Sequence, residues 1–223
     1  PFFFRLLRCA YKIIVYDLCK RANLWVQDAS LVIGIPDYSD KLKDNEIFLM
    51  VSKDGEEDKV IKGPAIIYRN PCLHPGDVQR VIAVDVPELH ITKNVVVLPA
   101  YNSSSSLSAH CSGGDLDGDQ FSVIWDKNFV PPEDLFEDPL DYEDLDADPP
   151  MKVDDVTDPH ETSKFYVSCM ENDALGRVAH MHLALCDLKE KGAVDPVCKS
   201  LAESQAIAVD YPKTGQRPKV PQE

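Results

Sequence analysis

No apolar stretch among the 223 residues approaches the roughly 20 that a bilayer-spanning helix needs. The opening segment is interrupted by Arg5, Arg8 and Lys12 and lacks a secretory layout, so the sequence predicts an intracellular protein, nuclear or cytoplasmic, without a membrane partner. An initiating Met is missing too. The chain begins Pro-Phe-Phe-Phe and reads at once as the middle of a helix, which suggests a piece of a longer polypeptide. There is no Cys-x-x-Cys pair. The seven cysteines are odd in number and scattered, which argues against a disulfide framework and fits a reducing compartment. His110 beside Cys111, and His180 and His182 with Cys186, are zinc's ligand types at spacings of no familiar zinc module; they read as structural. Internal repeats are absent as well.

A surplus of positive charge is also missing. A net charge of −15 would argue against a polyanion binder if it were uniform, because phosphate binding draws on Lys and Arg. It is not uniform. Residues 133–158 hold twelve acids against Lys152 alone, a local −11 that leaves −4 for the rest of the chain. With six prolines at 131, 132, 139, 149, 150 and 159, this stretch predicts a solvated, weakly structured connection.

The 44% of hydrophobic residues can build a core. Residues 2–24 carry Phe3, Leu6, Leu7, Ala10, Ile13, Ile14 and Leu18 at helical spacing, with Arg and Lys largely off that stripe, predicting a basic amphipathic helix packed on a core. From Trp25 to Trp125 the pattern changes to short β-like runs at 31–35, 46–51, 65–68, 78–86, 95–98 and 121–125, bounded by Gly, Pro, Asn, Asp or Ser. Several short strands without a long helix between them favour a compact sheet or barrel over βαβ units. Helical spacing returns at 165–189 and 197–209, with Gly192 and Gly215 as stops. The expected organisation is a helix (1–24), a β domain (25–130), an acidic Pro-rich connection (131–160) and a helical segment (161–223).

The most informative residues are Cys111-Ser-Gly-Gly-Asp-Leu-Asp-Gly-Asp119. Three carboxylates at 115, 117 and 119 can converge only if the backbone bends sharply, which Gly118 permits while Gly113 and Gly114 free the approach. Two carboxylates about 4 Å apart repel by roughly 4 kcal/mol at an effective dielectric near 20, so three together call for a divalent cation. Hard oxygen ligands select Mg2+, or Mn2+, over zinc. A plain surface turn rich in Asp and Gly stays open on chemistry alone. A calcium loop of the EF-hand type does not fit, because its sixth position is Gln120 and its flanks are β-like.

This signature resembles that of the eukaryotic RNA-dependent RNA polymerases of RNA silencing. A second block, Lys62-Gly-Pro-Ala-Ile-Ile-Tyr-Arg-Asn-Pro-Cys-Leu-His-Pro-Gly-Asp77, is similar to the strand and turn that precede it in that family, and weaker matches include Gly34-Ile-Pro-Asp37 and Ala208-Val-Asp-Tyr-Pro-Lys-Thr-Gly215. The resemblance implies an α+β architecture: a double-psi β-barrel carrying the Asp-Leu-Asp-Gly-Asp loop, flanked by helices. It implies Asp115, Asp117 and Asp119 as catalytic metal ligands, with Asp117 central, and Lys62, Arg69, His74 and Lys213 as cationic contacts to template or triphosphate. The implied activity is synthesis of double-stranded RNA from single-stranded RNA templates and nucleoside triphosphates by two-magnesium nucleotidyl transfer, with the silencing machinery as partner. The sequence departs from the family at Tyr101–His110, where relatives carry Gly and Arg-Pro-His. It also has no counterpart of the companion barrel that brings lysines to the nucleotide. The alternative is therefore a catalytically incomplete fragment that only binds RNA or a partner.

Overall fold

The computed structural model describes residues 2–21, 24–53, 55, 57–99, 106–142, 145, 147–150, 155–171 and 174–219. Part of the departing segment, Tyr101–Ser105, lies outside the described residues. The strands are β1 (Ala29–Pro36), β2 (Glu46–Val51), β3 (Lys59–Val60), β4 (Gly63–Arg69), β5 (Gln79–Ala83), β6 (Val95–Leu98) and β7 (Gln120–Ile124). Their order is β3-β2-β5-β4-β7-β1-β6, and β2 pairs again with β6, so six strands close into a barrel with β3 outside it. The β1–β6 and β2–β5 pairs are parallel. The other four pairs of the ring are antiparallel.

Alternation along the strands builds two apolar layers. In β2, Ile47 and Leu49 point into the barrel with Val32, Ala65, Ile67, Val81, Val96, Phe121 and Val123. Phe48 and Met50, on the opposite face, join Val97 of β6 in an outer cluster with Leu42, Val86 and Leu89. A strand buried on both faces reads as a continuous apolar run, which is why Ile-Phe-Leu-Met-Val was legible as a strand without alternating polarity.

The helices are α1 (Phe2–Arg21), α2 (Leu107–His110), α3 (Pro159–Glu171), α4 (Leu175–Leu188) and α5 (Pro196–Thr214). The Asp195 carboxylate caps α5 by accepting from the Val197 amide at 3.0 Å, and Pro196 supplies a preset first turn. Gly215 ends the helix at φ 69°, the stop read from the sequence. Helices α4 and α5 pack through Val178 and Leu201, with Met181 and Leu185 at the margin. The single helical pattern expected at 165–189 is two helices, α3 and α4.

Helix α1 differs from expectation in its surroundings. Its stripe is amphipathic, but Phe3, Leu7 and Ile14 are 76%, 69% and 65% exposed rather than packed on a core. The described part of the acidic segment touches the rest of the chain at several points. Glu133 pairs with Arg80 of β5 at 3.2 Å and Glu137 with Lys199 of α5 at 2.7 Å. The Asp148 amide donates to the Arg217 carbonyl at 3.1 Å. Acids scattered through a Pro-rich run give no periodicity, so such pairing was not readable in advance. Among the described residues no helix is long and apolar enough to cross a membrane.

Candidate metal centre

The loop between α2 and β7 carries the three aspartates. Strands β4 and β7 run antiparallel with Arg69 opposite Phe121 and Ile66 opposite Ile124, which places the C-terminal end of β4 beside the start of β7. Strand β1 flanks the other side, where the Gly34 amide donates to the Asp119 carbonyl at 3.0 Å. An ideal Cβ at Gly34 would lie 2.4 Å from the Phe121 ring and 2.9 Å from Leu116, so only glycine lets the loop settle onto β1.

The bend uses left-handed backbone at Ser112 (φ 53°), Gly113 (φ 66°), Leu116 (φ 62°) and Gly118 (φ 127°). Leu116 is held there because its side chain packs against the barrel core. Gly118 faces open space, so its role is conformational rather than steric. Gly114 is a close-approach position: a Cβ there would sit 2.8 Å from the Ser108 carbonyl oxygen.

The outcome is convergence. One carboxylate oxygen from each of Asp115, Asp117 and Asp119 lies within 4.8 Å of the others. The Asp115 amide donates to Asp119 Oδ2 at 3.0 Å, and the Asp117 amide to Asp115 Oδ1 at 3.3 Å. The Arg69 guanidinium meets Asp119 Oδ1 through Nε at 2.6 Å and donates through Nη1 to the Ser112 carbonyl at 3.0 Å. Burial acts to raise the Asp119 pKa, but the Arg69 hydrogen bond and charge together with the Asp115 amide outweigh it, and the carboxyl titrates below its ordinary value. Asp117 is displaced the other way. The charge of Asp115 beside it pushes its pKa up, with Asp119 adding to the repulsion. One anchored carboxylate beside an exposed, mutually repelling pair is a donor set whose charge a divalent cation would neutralise, and three hard oxygens suit Mg2+ or Mn2+.

A cleft of about 330 Å³ opens beside the loop. Arg69, Asp115 and Asp117 line it together with Gln205, Lys213 and Gln216 of the C-terminal segment. The fold thus brings Lys213 to the aspartates, although its ammonium rests on Asp210 at 3.2 Å. Lys62 is not brought there. It stands just before β4, at the opposite end of a seven-residue strand from Arg69 and so on the order of 20 Å away, where it pairs with Asp85 at 2.6 Å. His74 is buried and accepts the Gly76 amide through Nδ1 at 3.1 Å. Burial and nearby Lys199 lower its pKa, so it stays neutral near pH 7.

Comparison with known proteins extends the likeness beyond the loop. The family model for RNA dependent RNA polymerase matches residues 1–223, the whole chain. The chain belongs to the RNA-dependent RNA polymerase family. It is 34% identical over 216 residues to the probable RNA-dependent RNA polymerase SHL2 of Oryza sativa subsp. japonica, covering 90% of this chain and 17% of that protein. RNA-dependent RNA polymerase 1 of Arabidopsis thaliana is 32% identical over 211 residues, covering 92% of this chain and 18% of the relative. RNA-dependent RNA polymerase 1 of Schizosaccharomyces pombe is 31% identical over 236 residues, covering 94% and 19%. The chain therefore spans less than a fifth of the length of these relatives.

Among structures, the RNA dependent RNA polymerase QDE-1 from Thielavia terrestris superposes with a TM-score of 0.73 at 24% identity, over 92% of this chain and 25% of that one. At that identity the likeness speaks for the fold. The closed six-stranded mixed barrel with helices is the double-psi β-barrel architecture expected of an RNA-dependent RNA polymerase catalytic domain.

Three residues near the centre escaped the sequence reading of this RNA-dependent RNA polymerase chain. Asp77 and Ser112 sit inside the two recognised motifs but offer no distinguishing chemistry until folded. Tyr142 lies in the acidic run, where an aromatic among acids was the only available signal. Their hydrogen bonds meet: the Tyr142 hydroxyl donates to Asp77 Oδ2 at 2.6 Å, and Ser112 Oγ donates toward the same oxygen at 3.2 Å. Burial pushes the Asp77 carboxyl up, and these two donors only partly offset it.

Proposed function

We propose that this chain carries the metal-binding half of an RNA-directed RNA polymerase that makes double-stranded RNA from single-stranded templates for RNA silencing. The observation that carries the reading is the convergence of Asp115, Asp117 and Asp119 on one point at a barrel rim. Family membership and the likeness of fold support it.

In this reading the three aspartates hold Mg2+, or Mn2+ in its place. Asp115, Asp117 and Asp119 would hold one Mg2+, and two-magnesium chemistry, with the second ion brought by the nucleoside triphosphate, would supply Lewis-acid activation of the primer 3′-hydroxyl and charge neutralisation at the pyrophosphate. The chain's own residues do the rest. Arg69 keeps Asp119 ionised and aimed. Asp115 and Asp117 remain exposed to an incoming ligand. Lys213, lining the same cleft, places a cation where a phosphate of RNA or nucleotide would pass. Lys62 and His74 lie outside this cleft and are left to the fold.

The test is primer extension on a single-stranded RNA template by a full-length relative whose matching segment is replaced by this chain. Extension that Asp117→Ala abolishes supports the reading; extension that survives the substitution overturns the assignment of the aspartates. A second reading is RNA or partner binding without catalysis. It predicts that the graft binds RNA but extends no primer.

A further inference from the structure

The proposed function leaves Asp77 idle. Its side chain is 1% exposed, in the 3-10 turn Pro75–Asp77 that follows β4. A carboxylate kept in such a place costs solvation and calls for a use. Its Oδ2 collects the Tyr142 hydroxyl at 2.6 Å and the Ser112 hydroxyl at 3.2 Å. Ser112 shares its single proton between that oxygen and the Arg69 carbonyl, 3.0 Å away. Arg69 in turn spans the aspartate loop, from the Ser112 carbonyl at 3.0 Å to Asp119 Oδ1 at 2.6 Å. Ser112 has left-handed backbone, which a non-glycine residue keeps only under outside constraint. The path from Asp77 to Asp119 is thus continuous, and each link fixes an atom of the next.

The geometry points to Asp77 as a positioning residue for the metal ligands: through Ser112 and Arg69 it sets the direction of the Asp119 carboxylate, while Tyr142 locks Asp77 in place from the acidic segment. The inference rests on reading the three aspartates as cation ligands. Asp77 touches none of them directly. What it supplies is a fixed hinge at residue 112, where the loop leaves α2, so that Arg69 meets Asp119 in one orientation only. Tyr142 makes this setting depend on the acidic segment staying docked. Its ring lies against Gly113, where a Cβ would be 3.4 Å from it.

The experiment is Mn2+ binding by the 223-residue chain, followed by the loss of the free-ion electron paramagnetic resonance signal, alongside thermal melting. Asp117→Ala serves as the ligand-loss control. Asp77→Asn, Ser112→Ala and Tyr142→Phe should each weaken Mn2+ binding by about 10-fold or more, the scale of losing an outer partner of a ligand, at temperatures where the melt shows the variant folded. Tyr142→Phe keeps the ring and loses only the hydroxyl, so it decides the matter if Asp77→Asn does not fold. Wild-type affinity in the folded variants, with binding still abolished by Asp117→Ala, overturns the positioning role and leaves the metal centre standing. Absence of any Asp117-dependent Mn2+ binding in the wild type overturns both.

Discussion

Arg69 Nε lies 2.6 Å from Oδ1 of Asp119, the least exposed of the three aspartates, and the same guanidinium reaches back to the Ser112 carbonyl. The relationship follows from strand register, since Arg69 stands opposite Phe121, two residues past Asp119. Two of the arginine's five N–H donors are spent on these internal partners. Arg69→Ala leaves a largely buried carboxylate without its arginine counter-charge and should destabilise the fold by about 2–4 kcal/mol in urea titration. Arg69→Lys keeps the charge without the two-pronged reach and should lie between that variant and wild type.

On the proposed reading a cation at the aspartates binds only the folded chain, so Mg2+ should raise the melting temperature in proportion to the logarithm of its concentration once past its Kd. Asp117→Asn should remove that dependence. In metal-free buffer the same variant should melt at or above wild type. The raised pKa of Asp117 means that its charge is opposed in the folded state at neutral pH, and the substitution relieves that repulsion.

Gly34→Ala tests the seating of the loop on β1. The added carbon would fall 2.4 Å from the Phe121 ring, which is fully buried and cannot retreat. Overpacking of this kind typically costs about 1–3 kcal/mol, and thermal denaturation should register it. Because Leu116 is the second neighbour struck, Mn2+ affinity should fall as well.

Asp37 tests acid stability away from the candidate metal centre. Its carboxylate is 3% exposed and accepts the Leu42, Ser39 and Lys41 amides at 2.9, 2.8 and 3.0 Å, with the Ser39 hydroxyl at 2.7 Å. Burial alone would raise its pKa; these donors more than reverse that, and the folded value lies below 3.8. The stability it contributes is therefore present above the unfolded value near 3.8 and is lost as pH falls through the lower folded value. Asp37→Ala should cost about 2–3 kcal/mol at pH 7 and flatten the acid limb of a stability-versus-pH curve.

The β domain was legible because its strands are short apolar runs punctuated by Gly, Pro and Asp, and each of the six expected runs contains a strand, although 78–86 is strand only over 79–83, with the two-residue β3 added. The aspartate loop was legible because Gly and alternating Asp dictate a bend whatever surrounds it. Helix α1 could be read as a helix, but spacing says nothing about what covers a face, and its stripe is open. The placing of Lys62 and His74 was invisible for a related reason. A motif compresses both ends of a strand into a few letters, and only the antiparallel pairing of β4 with β7 reveals that Arg69 reaches the aspartates while Lys62 ends at the far rim. Asp77 and Tyr142 stand 65 residues apart, and no local pattern can announce such a pair.

Closure of the ring through β2 and β6 means that none of its six members has a free side along which to peel away. Amide hydrogens in these strands should exchange with deuterated solvent as one block, through global opening, whereas those of α1 exchange rapidly. The three acids thus sit on the lip of a stiff cylinder, and any shift in their spacing must come from the lip itself.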